Sequence, residues 1–307
     1  MADLSVKMAG VTFKNPVIPA SGAFGFGREY EQFYPLSKLG GLSIKGTTLN
    51  RRDGNPPPRI AETPSGILNS VGLQNPGIDA FLANELPNLA KKDTAVLANI
   101  AGASVEDFAE IARRIEASPL RDAVDLLELN ISCPNVKEGG AAFGCNPRIA
   151  ADVTAAVRAV TSKPIMVKLT PNVTDITVVA RAVEEAGADA VSLINTLLGM
   201  RIDIESRRPI LHNNVGGLSG PAVFPVAVRM VWQVSRAVKI PVCGLGGISS
   251  WKDAIEMMMA GATTIQVGTA LFADPLAPIK IIEGMNRWLD EHHISSVSEI
   301  IGTVEPY

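Results

Sequence analysis

Two lysines close apolar runs: Lys45 in Ser43-Ile44-Lys45-Gly46 and Lys168 in Met166-Val167-Lys168-Leu169. An isolated ammonium in apolar surroundings is costly, and no Asp or Glu adjoins either lysine in its own stretch. An anionic ligand would supply the missing partner; a structural ion pair or a snorkelling side chain is the alternative. Asn69, Asn99, Asn130 and Asn195 sit at the ends of similar runs or in turn-rich sequence. An amide offers a donor and an acceptor without charge, which suits a planar molecule with adjacent carbonyl and N–H groups. Each asparagine is equally an ordinary cap or turn residue. Cys133, in Asn130-Ile131-Ser132-Cys133-Pro134-Asn135, stands just past an apolar run. A thiol there could act as a general base if its site lowers its pKa. Cys243, inside an apolar stretch, reads as a small core residue. Cys145 ends the glycine-rich segment 138–144, which reads as a movable lid, and is expected to be exposed.

Glycines supply a second kind of site. Gly244-Leu245-Gly246-Gly247-Ile248-Ser249-Ser250 leads into a helix expected near Trp251, with Ser249 or Ser250 as its cap, and Gly268-Thr269-Ala270 opens the next helix. Backbone N–H groups at helix starts after the last two strands of a barrel make a phosphate cradle; tight turns alone are the alternative. The residues gathered at these strand ends include no histidine and no carboxylate. That argues against metal-assisted hydrolysis, glycosidase chemistry and a Ser-His-Asp triad.

The elements that position these residues follow from hydrophobic patterning. Short β-rich runs alternate with amphipathic stretches, the mark of a parallel sheet with crossover helices. Strands are predicted at Val17–Ala20, Leu42–Lys45, Ala95–Ile100, Leu126–Ser132, Ile165–Leu169, Ala190–Asn195, Val242–Gly244 and Ile265–Val267. Eight such units close a (β/α)8 TIM barrel. Ahead of them, Leu4–Met8 and Val11–Phe13 flank Ala9-Gly10 as a hairpin beneath the barrel. The segments Thr47–Thr94 and Thr196–Pro221, after strands two and six, are too long for plain connections and read as functional insertions. The Ala-Gly-Ala triplets centred on Gly187 and Gly261 mark an internal echo of two strand–helix units, or simply two helix ends. The 307 residues are 47% apolar with a net charge of −3, so neither a nucleic-acid-binding stripe nor a polybasic membrane patch is supported. No apolar run reaches the ~18 residues of a membrane span, and the start of the chain lacks a signal-peptide pattern. One domain over residues 1–307, in the cytoplasm, is the expectation. Three cysteines without a CxxC spacing give neither a disulfide framework nor a metal or iron–sulfur centre.

Four motifs together resemble the dihydroorotate dehydrogenases: Ser43-Ile44-Lys45-Gly46-Thr47-Thr48, Asn69 through Gly77, Asn130 through Val136, and Gly216 through Ala222. With the glycine pairs they form a collinear set from about residue 5 to residue 275. The resemblance implies FMN contacts from Ser21, Lys45, Gly46, Asn99, Asn130, Lys168, Ile194, Gly220, Gly246, Gly247, Gly268 and Thr269. It implies orotate or dihydroorotate contacts from Lys45, Asn69, Ser70, Val71, Gly72, Leu73, Asn130, Asn195 and Thr196. Cys133 falls at the family's base position, where cysteine is similar to the soluble class 1 enzymes. The stretches Lys45–Thr48 and Cys133–Gly140 resemble the NAD-linked class 1B more than the fumarate-linked, homodimeric class 1A, which stays the alternative. Class 1B further implies oxidation of (S)-dihydroorotate in UMP biosynthesis. It also implies a partner subunit carrying FAD and a [2Fe–2S] cluster, in a tetramer of two catalytic and two electron-transfer subunits. This chain has neither a cluster motif nor a GxGxxG after its first strand, in line with such a division of labour.

Overall fold

The computed structural model describes residues 2–132 and 143–307. The chain opens with a hairpin, β1 (Val6–Met8) and β2 (Val11–Phe13), paired Val6↔Phe13 and Met8↔Val11. Ala9 and Gly10 turn it with φ of 51° and 81°, the positive pair that a two-residue hairpin loop demands. Val6, Met8 and Phe13 are buried beneath the barrel, and the Thr264 hydroxyl donates to the Met8 sulfur at 3.3 Å.

Next come β3 (Val17–Pro19) and β4 (Gly41–Ser43). The first insertion holds β5 (Ile60–Thr63) and β6 (Gly66–Asn69), followed by β7 (Ala95–Ile100), β8 (Leu126–Asn130), β9 (Ile165–Lys168) and β10 (Ala190–Leu193). The second insertion holds β11 (Leu197–Gly199), β12 (Ile202–Asp203), β13 (Arg208–Pro209) and β14 (Gly216–Ser219). The chain then completes the sheet with β15 (Val242–Leu245) and β16 (Ala262–Val267).

Eight parallel strands run in the order β3-β16-β15-β10-β9-β8-β7-β4. The seam between the outer two is drawn together where Gly40 N–H donates to the Val17 carbonyl at 3.1 Å. The fold is the predicted (β/α)8 TIM barrel, with the predicted hairpin and both insertions. All eight predicted strands are present; several end a residue or two earlier than predicted, although backbone hydrogen bonds to the neighbouring strand continue past some of those ends, as from Ile44 N–H to the Leu97 carbonyl at 3.1 Å. Their apolar runs are nearly continuous, as expected of a sheet buried on both faces. The outer face takes helices such as Val105–Ala117, which buries Phe108, Ile111, Ala112 and Ile115 at helical spacing. Both Ala-Gly-Ala triplets sit where a helix passes into the following strand, Ala262 opening β16, and Gly187 and Gly261 have φ of 99° and 120°. Among the described residues no helix is long and apolar enough to cross a membrane.

The insertions are more ordered than their composition implied. Their strands pair with one another in the antiparallel order β11-β14-β6-β5, with Gly217 opposite Asn69 and Leu218 opposite Leu68. Arg201 of the second insertion also donates to the Glu62 carbonyl of the first at 3.0 Å. Neither half of this sheet has enough strands to stand alone.

A side chain at Gly40 is excluded by the seam, since an added Cβ would fall 1.8 Å from the Asn15 carbonyl oxygen. Gly40→Ala is therefore expected to destabilise the protein by about 3 kcal/mol. The urea midpoint would fall at unchanged denaturant sensitivity; an unshifted midpoint would show that the seam tolerates the extra carbon.

Candidate active site

The barrel's lumen carries a polar layer directly below its mouth. Alternation along β8 turns Glu128 and Asn130 to the same face, and Glu128 is fully buried. One carboxylate oxygen accepts from the Ser43 hydroxyl of β4 and from Asn99 Nδ2 of β7 at 2.8 Å. The other accepts from the Ser192 hydroxyl of β10 at 2.9 Å and from Gln266 Nε2 of β16 at 2.8 Å. Since β8 and β16 are four places apart in the sheet, these bonds cross the lumen. Burial alone would push the Glu128 carboxyl up; the Lys168 charge and the donors Ser43, Asn99 and Gln266 outweigh it and hold it below the usual range. These four donors and the Lys168 charge favour the ionised carboxylate.

Above this layer stand the residues singled out from sequence. Lys168, 6% exposed, ends β9 beside Asn130 of β8, its register partner. Among the described residues its ammonium has no hydrogen-bond acceptor. Asn130 Oδ1 accepts from Asn195 Nδ2 at 3.1 Å, and Asn195 Oδ1 accepts from Thr196 N–H at 2.8 Å, so these three form one chain across the mouth. Asn99 is fully buried, and its Oδ1 has no partner among the described residues. Gly46 leaves that oxygen clear: a Cβ there would lie 2.9 Å from Asn99 Oδ1 and 3.6 Å from Leu73 Cδ2. Lys45 is pulled down from the ordinary lysine range by burial and by the nearby Arg59 charge.

The first insertion brings Asn69 to Gly217, whose carbonyl accepts from Asn69 Nδ2 at 3.4 Å. Thr196 packs against the same glycine, where a Cβ would fall 2.0 Å from its hydroxyl. Ser70 N–H donates to the Arg59 carbonyl at 2.8 Å, and Val71, Gly72 and Leu73 continue the turn with φ of 79° and 56° at the last two. Ser21 begins the short helix after β3, and Ile194 is buried with its N–H on the Leu245 carbonyl at 2.8 Å. Gly246 and Gly247 follow β15 with φ of 124° and 78°, and Gly247 presses on Gly220, whose carbonyl would be 2.7 Å from an added Cβ. Among the described residues no acceptor meets the N–H groups of Gly246, Gly247, Gly268 or Thr269. Ser250 caps the helix at Trp251–Met259 in a capping box with Asp253, and Thr269 precedes the Ala270–Ala273 turn. Cys133 lies outside the described residues, as do the motif's Pro134 through Val136.

The model of the family described as "Dihydroorotate dehydrogenase" matches residues 3–289. The chain belongs to the dihydroorotate dehydrogenase family. It is 55% identical over 305 residues to the dihydroorotate dehydrogenase B (NAD(+)) catalytic subunit of Bacteroides thetaiotaomicron, covering 99% of this chain and all of that one. It is 54% identical to the protein of the same name from Pelobacter propionicus, covering 99% of each chain. The same identity links it to that of Anoxybacillus flavithermus, over 98% of this chain and 96% of the other. These relatives are oxidoreductases, the class that the lysine and amide set around the mouth suits.

Within this dihydroorotate dehydrogenase barrel, two groups of residues escaped the sequence reading. No acidic residue adjoins either lysine in its own stretch, but Glu128, inside the neighbouring strand below the mouth, brings its charge to bear on Lys168 from across the sheet. The signal was available two residues before Asn130, on the same strand face. Asn172 was also missed: its amide donates to the Thr196 carbonyl at 3.1 Å and accepts from Leu198 N–H at 2.9 Å, pinning the base of the second insertion.

The two described thiols separate as expected. Cys243 faces the lumen, and burial pushes its pKa up to about 12, whereas Cys145 is exposed. At pH 8, alkylation of native protein followed by peptide mapping should modify Cys145 and spare Cys243 until the chain is unfolded. Equal labelling of the two would contradict the lumen placement.

Proposed function

We propose that this chain is the catalytic subunit of a class 1B enzyme, oxidising (S)-dihydroorotate to orotate in UMP biosynthesis in the cytoplasm. In this reading residues 1–307 form one FMN-binding barrel domain, and electrons pass to NAD through a partner subunit carrying FAD and a [2Fe–2S] cluster. The observation that carries it is the match between the mouth's unused polar groups and FMN. Asn99 Oδ1 is a buried acceptor suited to a ring N–H, and Lys168 is a cation suited to a ring carbonyl or a developing negative charge. The N–H groups after β15 and β16 suit a phosphate, at the ends where barrels hold one. Ser21, Lys45, Gly46, Asn130, Ile194 and Gly220 complete the proposed FMN contacts.

When bound, FMN supplies the two-electron acceptor. The chain's own residues do the rest. Asn69, Asn130, Asn195 and Thr196 orient the planar pyrimidine, whose alternating carbonyl and N–H edges match amide side chains. The backbone of Ser70 through Leu73 covers it, Lys45 contributes charge between ring and cofactor, and Lys168 balances negative charge on the cofactor side. Cys133 removes the proton from C5 of dihydroorotate. The second insertion exposes Leu198, Met200, Ile202 and Ile204 within one short stretch of chain, apolar side chains that an assembled state would cover. Two catalytic and two electron-transfer subunits make up that assembly in this reading.

The anaerobic visible spectrum of the purified protein, before and after dihydroorotate is added, tests the reading. A flavin band that bleaches is expected; a band that persists would overturn the substrate, and no flavin after FMN supplementation would overturn the whole. Cys133→Ala should keep the band and lose turnover about 10²–10⁴-fold, while Cys243→Ala should not. Near-normal turnover in Cys133→Ala would remove the thiol from the mechanism. Turnover with fumarate alone, and not with NAD plus the partner, would favour the class 1A-like alternative.

A further inference from the structure

A carboxylate has about four lone-pair sites, and those of Glu128 meet the four donors Ser43, Asn99, Ser192 and Gln266. An ionised carboxylate accepts and never donates, so it dictates the orientation of every amide that touches it. Asn99 and Gln266 must both turn their NH2 groups inward. Their oxygens, Asn99 Oδ1 and Gln266 Oε1, are consequently the atoms left buried without partners among the described residues. The same saturation decides what Lys168 can do. Its charge is felt by Glu128, yet the two form no ion pair within 4 Å among the described residues, so the ammonium keeps its donors while its charge is offset from below.

Resting on the FMN reading above, we infer that Glu128 is a positioning residue for the cofactor. It fixes the Asn99 amide with Oδ1 toward the ring, and it is the counter-charge that sets how strongly Lys168 favours the reduced cofactor. Neither effect requires Glu128 to touch substrate or cofactor. Gln at this position keeps the size but has one oxygen and one NH2, so either Asn99 or Gln266 must turn over or face a second donor.

The test compares wild type with Glu128→Gln, and with Glu128→Asp as the charge-retaining variant. Glu128→Gln is expected to weaken oxidised FMN binding about tenfold or more, the scale of a hydrogen bond to a charged group. The FMN midpoint potential is expected to rise, because a negative charge beneath Lys168 has gone. Glu128→Asp should return the potential toward wild type. Loss of FMN affinity with an unmoved potential would make Glu128 a structural residue only and overturn the inference, as would an unchanged affinity and potential. Should Glu128→Gln fail to fold, isotope-edited infrared spectra of wild type decide: an ionised carboxylate upholds the inference, and a protonated one, which frees both amides to flip, overturns it. Wild type that binds no FMN would instead defeat the functional reading, and the infrared result on that same protein would still report on Glu128.

Discussion

A charge held at zero solvent exposure is the constraint around which this barrel is arranged. Removing a carboxylate from water costs several kcal/mol even after a protein relaxes around it, and one missing donor leaves part of that cost unmet. Glu128 meets it with donors from β4, β7, β10 and β16. Those strands come from both halves of the chain, so the carboxylate is satisfied only when the sheet has closed in the right register. A one-residue slip in any of them would turn its donor away from the lumen and leave an apolar side chain in its place. The network therefore specifies the barrel as well as lining its mouth.

The two ends of the barrel divide the remaining tasks. At the lower end the hairpin of β1 and β2 seals the lumen with Met8 and Phe13, mainly by apolar packing together with the Thr264–Met8 contact. At the upper end, lysines, amides and glycine N–H groups face inward from the strand ends, where barrel enzymes build their chemistry. Asn99 Oδ1, buried without a partner among the described residues, is costly to leave unpaired and useful to a bound ring N–H, and the half-exposed Gly246–Gly247 amides present donors at the same end of the barrel.

Much of this was legible in the sequence, because the signals were local. Apolar runs located the strands, and the residue just past each run located the mouth; Lys45, Asn130 and Lys168 were found that way. Glu128 was not, since its neighbours Leu127 and Leu129 make it look like an interruption of an apolar strand, and its donors are scattered over the chain. The insertion strands escaped for the same reason. Gly217 and Asn69 are 148 residues apart, so neither segment carries the pattern that pairs them. Cys133 was prominent in the sequence by its motif, while its role rests on that motif alone.

The shared sheet over the mouth has a consequence for how such a protein can change. Surface loops of barrels are usually treated as modules that can be exchanged one at a time to alter specificity. Here β6 and β14 are the two middle strands of one antiparallel sheet, and Gly217 is confined between Asn69 and Thr196. A foreign segment introduced in one half would present its edge to a partner cut for another register. Recombination between relatives should preserve the pair or replace it whole, making two distant stretches of chain a single unit of inheritance.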